Sequence, residues 1–300
     1  MALKYDFTFA EDAIKFLESG SSAYLNKIAN SEAARHILGH ARRFNYNVPT
    51  GSALELTTHL LTPLDKHKDK LPQVVRNLDY AKKHIASTGI AADIALQYLP
   101  AGAAFTGSIF FTFGYDIGVA FGHNCSLNLA HNIFAVNMGE LKYYAIHEMH
   151  HTGFIMHKDG YMPSLEVSTR GEMAHIISYL THLEGMGTYA PLAARQQDNA
   201  LNTDDDYIAL QDTKHIYHLE KEYFEIYSYF HDNPNEPLVE GDWHKINTLS
   251  DAKRLWYIVG AHMAKAIDTQ LGRDKLTGLI CEPSENFIKT YLDVSERSLT

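Results

Sequence analysis

The chain has 300 residues, of which 45% are hydrophobic and 21% are charged. This is ordinary globular composition, and it excludes a disordered or fibrous protein. The formal charge is −10 with histidine neutral, and the basic residues are scattered along the chain. A nucleic-acid partner is therefore not expected, because such proteins concentrate lysine and arginine in one patch.

The sequence also predicts a cytoplasmic protein without a membrane anchor. The first residues contain no basic segment leading into an apolar stretch, and no run reaches the roughly 18 apolar residues of a membrane helix. Cys125 and Cys281 form neither a disulfide framework nor a metal-binding cysteine motif. The oligomeric state stays open.

In chain order, the predicted elements begin with a helical region over residues 10–100. From Gly107 the pattern changes to short β-type runs separated by turns, which predict a small antiparallel sheet. Their ranges are 108–113, 118–121 and 125–130. Helices are predicted again over residues 138–153, 165–190, 205–231, 250–271 and 284–293.

These elements predict an α+β fold that is mostly helical, with the small sheet lying beside the helix predicted over residues 138–153. We expect an N-terminal helical region over residues 1–104 and a second region, which contains the sheet and the later helices, over residues 105–300. The two regions could pack as one unit, since a chain of this length suits one large domain or two closely packed lobes.

The segment that carries chemistry is His147-Glu148-Met149-His150-His151, which matches the pattern His-Glu-x-x-His. On a helix, residues four apart lie on one face, so the two outer imidazoles can bind one ion. Glu148 is then placed to act as a general base toward a water molecule on that ion. The apolar spacing from Leu141 to Ile146 favours a helix here, and Gly153 is the expected stop.

A catalytic zinc normally takes three protein ligands and leaves one position open, and two residues compete for the third place. His157 has the spacing found in metzincins, although their glycine position is occupied by Phe154, which is poorly suited to a positive φ. Glu184 is the other candidate, since it ends an apolar helix stripe and needs a cation or hydrogen bonds there. Gly185 and Gly187 after it suggest close approach of another backbone, for which the His147 helix is the expected partner.

Together, the β-type segment, the His-Glu-x-x-His motif and Glu184-Gly185-Met186-Gly187-Thr188-Tyr189 resemble the gluzincin zinc metallopeptidases. The resemblance covers residues 105–295 and is nearest to bacterial families with a Glu-Gly-x-Ala-x-Tyr-like helix, although Gly187 replaces the alanine here. It implies a thermolysin-like catalytic core with one zinc ion per chain held by His147, His151 and Glu184, and Glu148 as general base. Thermolysin has an aspartate at the position of Thr188. The carboxylate that orients one ligand histidine there therefore has no counterpart here.

The resemblance further implies a strand that pairs with an extended peptide beside the cleft. Residues 118–121 and 125–128 are both candidates for it. Gluzincins also place a tyrosine or histidine donor near the oxyanion, and Tyr189, Tyr257 and His262 are available. Tyr257 and His262 lie five residues apart, so they point about 140° apart on a helix and at most one of them serves.

We therefore expect a zinc-dependent peptidase that hydrolyses a peptide or protein substrate by metal-activated water. One alternative is a metzincin-like hydrolase with His157 as third ligand. Another is a non-catalytic, metal-stabilised protein that binds a partner. Glu148 disfavours this last alternative, because a structural zinc site needs no general base.

Overall fold

Helices dominate the computed structural model, which describes residues 3–158 and 160–297, and a four-stranded sheet accompanies them. This confirms the prediction of a mostly helical α+β fold. The chain divides into two compact units. The first comprises Met1–Ile94 and Ala104–Gly153, and the second comprises Ala95–Ala103 and Phe154–Thr300.

The first unit contains most of the predicted N-terminal helices, and they bury alanine, leucine and phenylalanine side chains against the sheet. Ser31 and Ser52 cap two of these helices by accepting backbone hydrogen bonds three residues later. The helices are α1 (Thr8–Ser19), α2 (Ser22–Ala29), α3 (Glu32–Arg43), α4 (Ala53–Leu61), α5 (Leu64–Lys68), α6 (Leu71–Tyr80), α7 (Ile90–Leu96), of which only the first five residues belong to this unit, and α8 (Asn132–Val136).

The sheet is mixed, so the prediction of an antiparallel sheet is wrong. Its strands are β1 (Lys4–Asp6), β2 (Ser108–Thr112), β3 (Gly118–Phe121) and β4 (Asn124–Asn128), in the order β1-β2-β4-β3. Only β3 and β4 pair antiparallel, through a two-residue turn at Gly122-His123. Both β1 and β4 run parallel to β2. The N-terminal strand β1 pairs with one side of β2. After β2 the chain first forms the edge strand β3 and then returns as β4, which pairs with the other side of β2. Alternation of apolar and polar residues along a run indicates a strand, but it does not identify the strands that pair with it.

Helix α9 (Glu140–His157) carries the His-Glu-x-x-His motif and is longer than predicted. Gly153 lies inside the helix rather than at its end. The glycine that follows the end is Gly160, whose φ is +72° and whose amide donates to the carbonyl of Ile155. A left-handed glycine just beyond the last turn is a common helix ending.

The second unit is a bundle in which α10 packs against α15, with α13 and α17 beside them. The predicted helix over 205–231 is two helices, because the Asp212 side chain caps the second by accepting from Lys214 and His215 amides. The helices are α10 (Arg170–Tyr189), α11 (Leu192–Gln197), α12 (Asp205–Gln211), α13 (Thr213–His231), α14 (Asp242–Asn247), α15 (Leu255–Leu271), α16 (Arg273–Gly278) and α17 (Glu285–Arg297).

Candidate metal centre

Helix α9 places the two outer histidines of the motif on one face, as the spacing predicts. The ring centroids of His147 and His151 lie 4.3 Å apart at an interplanar angle of 67°. His151 is 6% exposed, and His147 is half-buried. The fold therefore buries the His151 ring and leaves the His147 ring partly accessible to solvent.

The carboxylate of Glu184 lies with these two imidazoles. One ligand atom from each of His147, His151 and Glu184 can be chosen so that all three lie within 4.8 Å of one another. Ligand atoms about 2.0–2.2 Å from one zinc ion, as zinc sites have, lie roughly 3.3–3.6 Å apart. Small side-chain rotations therefore suffice for these donors to hold the ion, and two imidazoles with one carboxylate are an ordinary catalytic zinc set. Across residues 3–158 and 160–297, no other group of histidine, cysteine and acidic side chains has this arrangement.

His157 lies outside that group. It occupies the last turn of α9, six residues after His151. Six residues correspond to about 600° of helix rotation, so the two side chains point about 120° apart. The metzincin arrangement needs the chain to turn sharply before this position, and here the helix continues up to it.

Glu148 packs against the first residue of β3. A Cβ atom added at Gly118 would lie 2.8 Å from both Cγ and Oε1 of Glu148, so only a glycine leaves room for this carboxylate. Sequence reasoning did not identify Gly118 as part of the site. The available signal was a glycine at the start of a β-type run, which often marks close approach of another group.

The positions of β3 and β4 in the sheet distinguish the two strands considered for peptide binding. Strand β4 lies between β2 and β3, so its backbone hydrogen-bonding groups face strands on both sides. Within the described part of the chain, β3 is one edge of the sheet and β1 is the other. Of the two strands considered, the one at an edge of the sheet is therefore also the one that packs against Glu148.

Cys125 lies close to Glu148 but belongs to the core. It is 2% exposed, and burial raises the pKa of its thiol, with the Glu148 carboxylate adding to the effect. A neutral thiol is a poor zinc ligand, because zinc binds the thiolate. Cys125 accordingly has no place in the donor group.

A side-chain cap fixes the start of α10, the helix that carries Glu184. At the start of α10, the side chain of Thr169 accepts from the amide of Glu172, and the Glu172 carboxylate accepts from the Thr169 amide. This reciprocal cap sets the first turn. Fourteen positions of α10 are buried, whereas Glu184 is half-buried, so its carboxylate faces a more open region than its neighbours.

At Gly185, next to Glu184, the backbones of α10 and α15 lie in close contact. A Cβ at Gly185 would lie 2.4 Å from the carbonyl carbon of Gly260, and one at Gly260 would lie 2.7 Å from the Cα of Gly185. The predicted close approach is therefore present, but at Gly185 the partner is α15 rather than the His147 helix. A pair of glycines lets the two backbones touch, which a side chain on either helix would prevent.

Tyr257 lies in the first turn of α15, one turn before Gly260, and thus on the side of the helix that meets α10. His262 points elsewhere, with its ring centroid 6.0 Å from that of Tyr291 in α17. Burial lowers the pKa of His262. Of these two candidates for the oxyanion donor, Tyr257 is the one on the α15 face of Gly260, which meets α10 at Gly185.

Tyr189 is engaged in a different cluster. Its hydroxyl donates to Oδ2 of Asp268 at 2.6 Å, and Arg273 pairs with the same carboxylate. Tyr189 also lies five residues after Glu184, so the two side chains point about 140° apart on α10. The hydroxyl of Tyr189 therefore serves the packing of α10 on α15.

The fold and the site define a helical α+β protein with a His-Glu-x-x-His helix and a three-residue candidate zinc centre. Over residues 17–298 the chain matches the family described as "Putative zinc dependent peptidase (DUF5700)", and it belongs to that family. The family description supports a zinc-dependent peptidase and hence a peptide or protein substrate.

The search among curated proteins gave no match, and neither did the search among solved structures. In the part of the chain that the structure describes, no helix combines the length and the apolar character needed to cross a bilayer.

Proposed function

We propose that the chain is a gluzincin-type peptidase in which His147, His151 and Glu184 hold one zinc ion and Glu148 is the general base. The observation that supports this most strongly is the position of the Glu184 carboxylate, whose oxygen lies within 4.8 Å of both imidazoles. Three protein ligands leave a coordination position for water or substrate, which is the arrangement of catalytic rather than structural zinc.

When bound, zinc would lower the pKa of water to about 7 and polarise the scissile carbonyl. Glu148 removes a proton from the attacking water and returns it to the leaving amine. Glu148 is 6% exposed, which limits competition from bulk water. Gly118 lets the carboxylate lie directly beside β3, so the base is adjacent to any peptide aligned on that strand.

The substrate pairs with the edge of β3 as an additional strand. An exposed strand edge offers unpaired amide and carbonyl groups that bind an extended peptide backbone. Pairing through the backbone alone selects extended segments with little regard to side chains. Side-chain preference then depends on the groups that flank β3.

Tyr257 donates a hydrogen bond to the oxyanion of the tetrahedral intermediate. A donor at this position stabilises charge that develops only in the transition state. Neither Tyr189 nor His262 has this role, because the first donates to Asp268 and the second packs beside Tyr291.

We also propose a cytoplasmic location. Both cysteines are free thiols, and Cys281 is exposed. A reducing compartment preserves an exposed thiol, whereas oxidising compartments favour its conversion to a disulfide.

The test compares zinc content and turnover in three variants. Glu184→Ala should lose zinc that the parent protein retains through dialysis, whereas His157→Ala should keep about one zinc per chain by elemental analysis. Glu148→Gln should keep the zinc and lose turnover of a peptide library read by mass spectrometry. Zinc retained in Glu184→Ala and lost in His157→Ala would favour the metzincin-like alternative. Zinc binding without turnover in the parent protein would favour the non-catalytic one.

A further inference from the structure

Arg254 contacts Tyr257 through both its main chain and its side chain. The guanidinium carbon lies 3.8 Å from the centroid of the Tyr257 ring, which is a cation–π contact. The carbonyl oxygen of Arg254 accepts a hydrogen bond from the amide of Tyr257 at 3.1 Å. One residue thus fixes where Tyr257 enters α15 and how its ring is oriented.

The guanidinium is itself held by a buried carboxylate. Nε of Arg254 donates to Oδ1 of Asp206 at 2.8 Å, and a terminal nitrogen donates to Oδ2 at 2.8 Å. Asp206 is 6% exposed and lies in the first turn of α12. A bidentate pair of this kind fixes the plane of the guanidinium as well as its position.

The backbone at Arg254 adopts a conformation that arginine seldom takes. Its φ and ψ are 51° and 40°, in the left-handed region, and it is the residue immediately before α15. Such a conformation persists only where surrounding contacts enforce it, and it is concentrated at functional sites. Here the bidentate pair with Asp206 supplies that constraint.

We propose that Arg254, clamped by Asp206, is a positioning residue that holds the Tyr257 hydroxyl where it meets the tetrahedral intermediate. The inference rests on the proposed function, because it requires Tyr257 to act as the oxyanion donor. A tyrosine ring has two side-chain torsions, and the guanidinium above its face restricts both. The ring is thereby oriented before substrate arrives, so less ordering is needed in the transition state.

The chain offers a matched control for this clamp. Arg273 also lies 3.8 Å from a tyrosine ring, that of Tyr98, and its guanidinium pairs with a carboxylate, that of Asp268. Arg273→Lys removes the same kind of contact from the same unit without touching Tyr257. Any loss caused only by weaker packing should therefore appear in both lysine variants.

The test is a double-mutant cycle on a fluorogenic peptide taken from the library cleavage products. Tyr257→Phe should lower kcat about 100-fold, as expected for the loss of one oxyanion donor. Arg254→Lys should lower kcat about tenfold with KM within twofold, because lysine keeps the charge but lacks the planar fork. In the Tyr257→Phe background, Arg254→Lys should have no further effect. Arg273→Lys should leave kcat unchanged.

A second measurement needs neither zinc nor turnover. In zinc-free protein labelled with 3-fluorotyrosine, the fluorine resonance that is absent from Tyr257→Phe reports on this ring. It should shift in Arg254→Lys and stay in place in Arg273→Lys. Asp206→Asn, which weakens the clamp from its other side, should shift the resonance and lower kcat in the same direction as Arg254→Lys.

The outcomes separate the two proposals. If Tyr257→Phe keeps full kcat, the oxyanion role of Tyr257 is wrong and the positioning role fails with it. If Tyr257→Phe is impaired but Arg254→Lys lowers kcat equally in both backgrounds, or leaves the fluorine resonance unmoved, only the positioning role is overturned. Wild-type kcat in Arg254→Lys would overturn it as well.

Discussion

Replacing Gly185 with alanine should destabilise the second unit, because the new methyl group would meet backbone rather than a movable side chain. The added Cβ would lie 2.4 Å from the carbonyl carbon of Gly260, whereas carbon atoms in contact are about 3.5–4.0 Å apart. Helices α10 and α15 would have to separate by more than about 1 Å at their crossing. Overpacking of this kind costs about 1–3 kcal/mol and occasionally more, and the gain in helix propensity returns up to ~1 kcal/mol.

The expected net loss is about 2 kcal/mol, or a fall in Tm of about 4–8 °C for a unit of this size. The measurement is thermal and urea unfolding of the full chain, with Gly278→Ala as the matched control. Gly278 ends α16, and a Cβ there would meet no atom within 4 Å. That variant should gain about 0.5–1 kcal/mol. If Gly185→Ala were as stable as Gly278→Ala, the close approach of α10 and α15 would be refuted.

Two further predictions concern β3 and the buried histidine of α3. Gly118→Ala should lower kcat about ten- to 100-fold at unchanged zinc content. The new Cβ would lie 2.8 Å from Oε1 of Glu148 and would displace this carboxylate. Unchanged kcat would show that the base does not need this space. Burial lowers the pKa of His36 to about 4, so between its unfolded value of about 6.5 and pH 4 the unfolded chain binds a proton that the folded chain does not. Stability should therefore fall as the pH falls through this window, by about 3 kcal/mol from this residue. Urea unfolding at several pH values should show a shallower fall in His36→Met, and parallel curves would rule out this linkage.

Much of the fold follows from local patterns in the sequence. The helices over residues 10–100 and the β-type runs after Gly107 were predicted because apolar spacing reports which face an element buries. The parallel pairing of β1 with β2 was not predictable in this way. It joins Lys4–Asp6 to a strand roughly 100 residues later, and no local pattern encodes such a partner.

The candidate site shows the same division. The His-Glu-x-x-His spacing places two imidazoles on one face because helix geometry is fixed, and Glu184 was suggested by an acid at the end of an apolar stripe. The prediction that Gly153 ends α9 was wrong. A glycine permits a helix end but does not require one, and Gly153 is buried within the helix.

The contributions of Gly118 and Arg254 were missed for a related reason. Each acts through a contact with a residue that is remote in sequence or through an unusual backbone angle. Gly118 leaves space for Glu148, and Arg254 adopts a left-handed conformation that a non-glycine residue rarely shows. Such features depend on tertiary packing, so they become visible only in three dimensions.

The most direct test of the account is a crystal structure of the zinc-loaded protein with diffraction data collected on both sides of the zinc absorption edge. We predict one anomalous peak per chain, about 2.0–2.2 Å from a ring nitrogen of His147, a ring nitrogen of His151 and a carboxylate oxygen of Glu184. A peak bound by His157 in place of Glu184, or a zinc ion bound elsewhere in the chain, would contradict it.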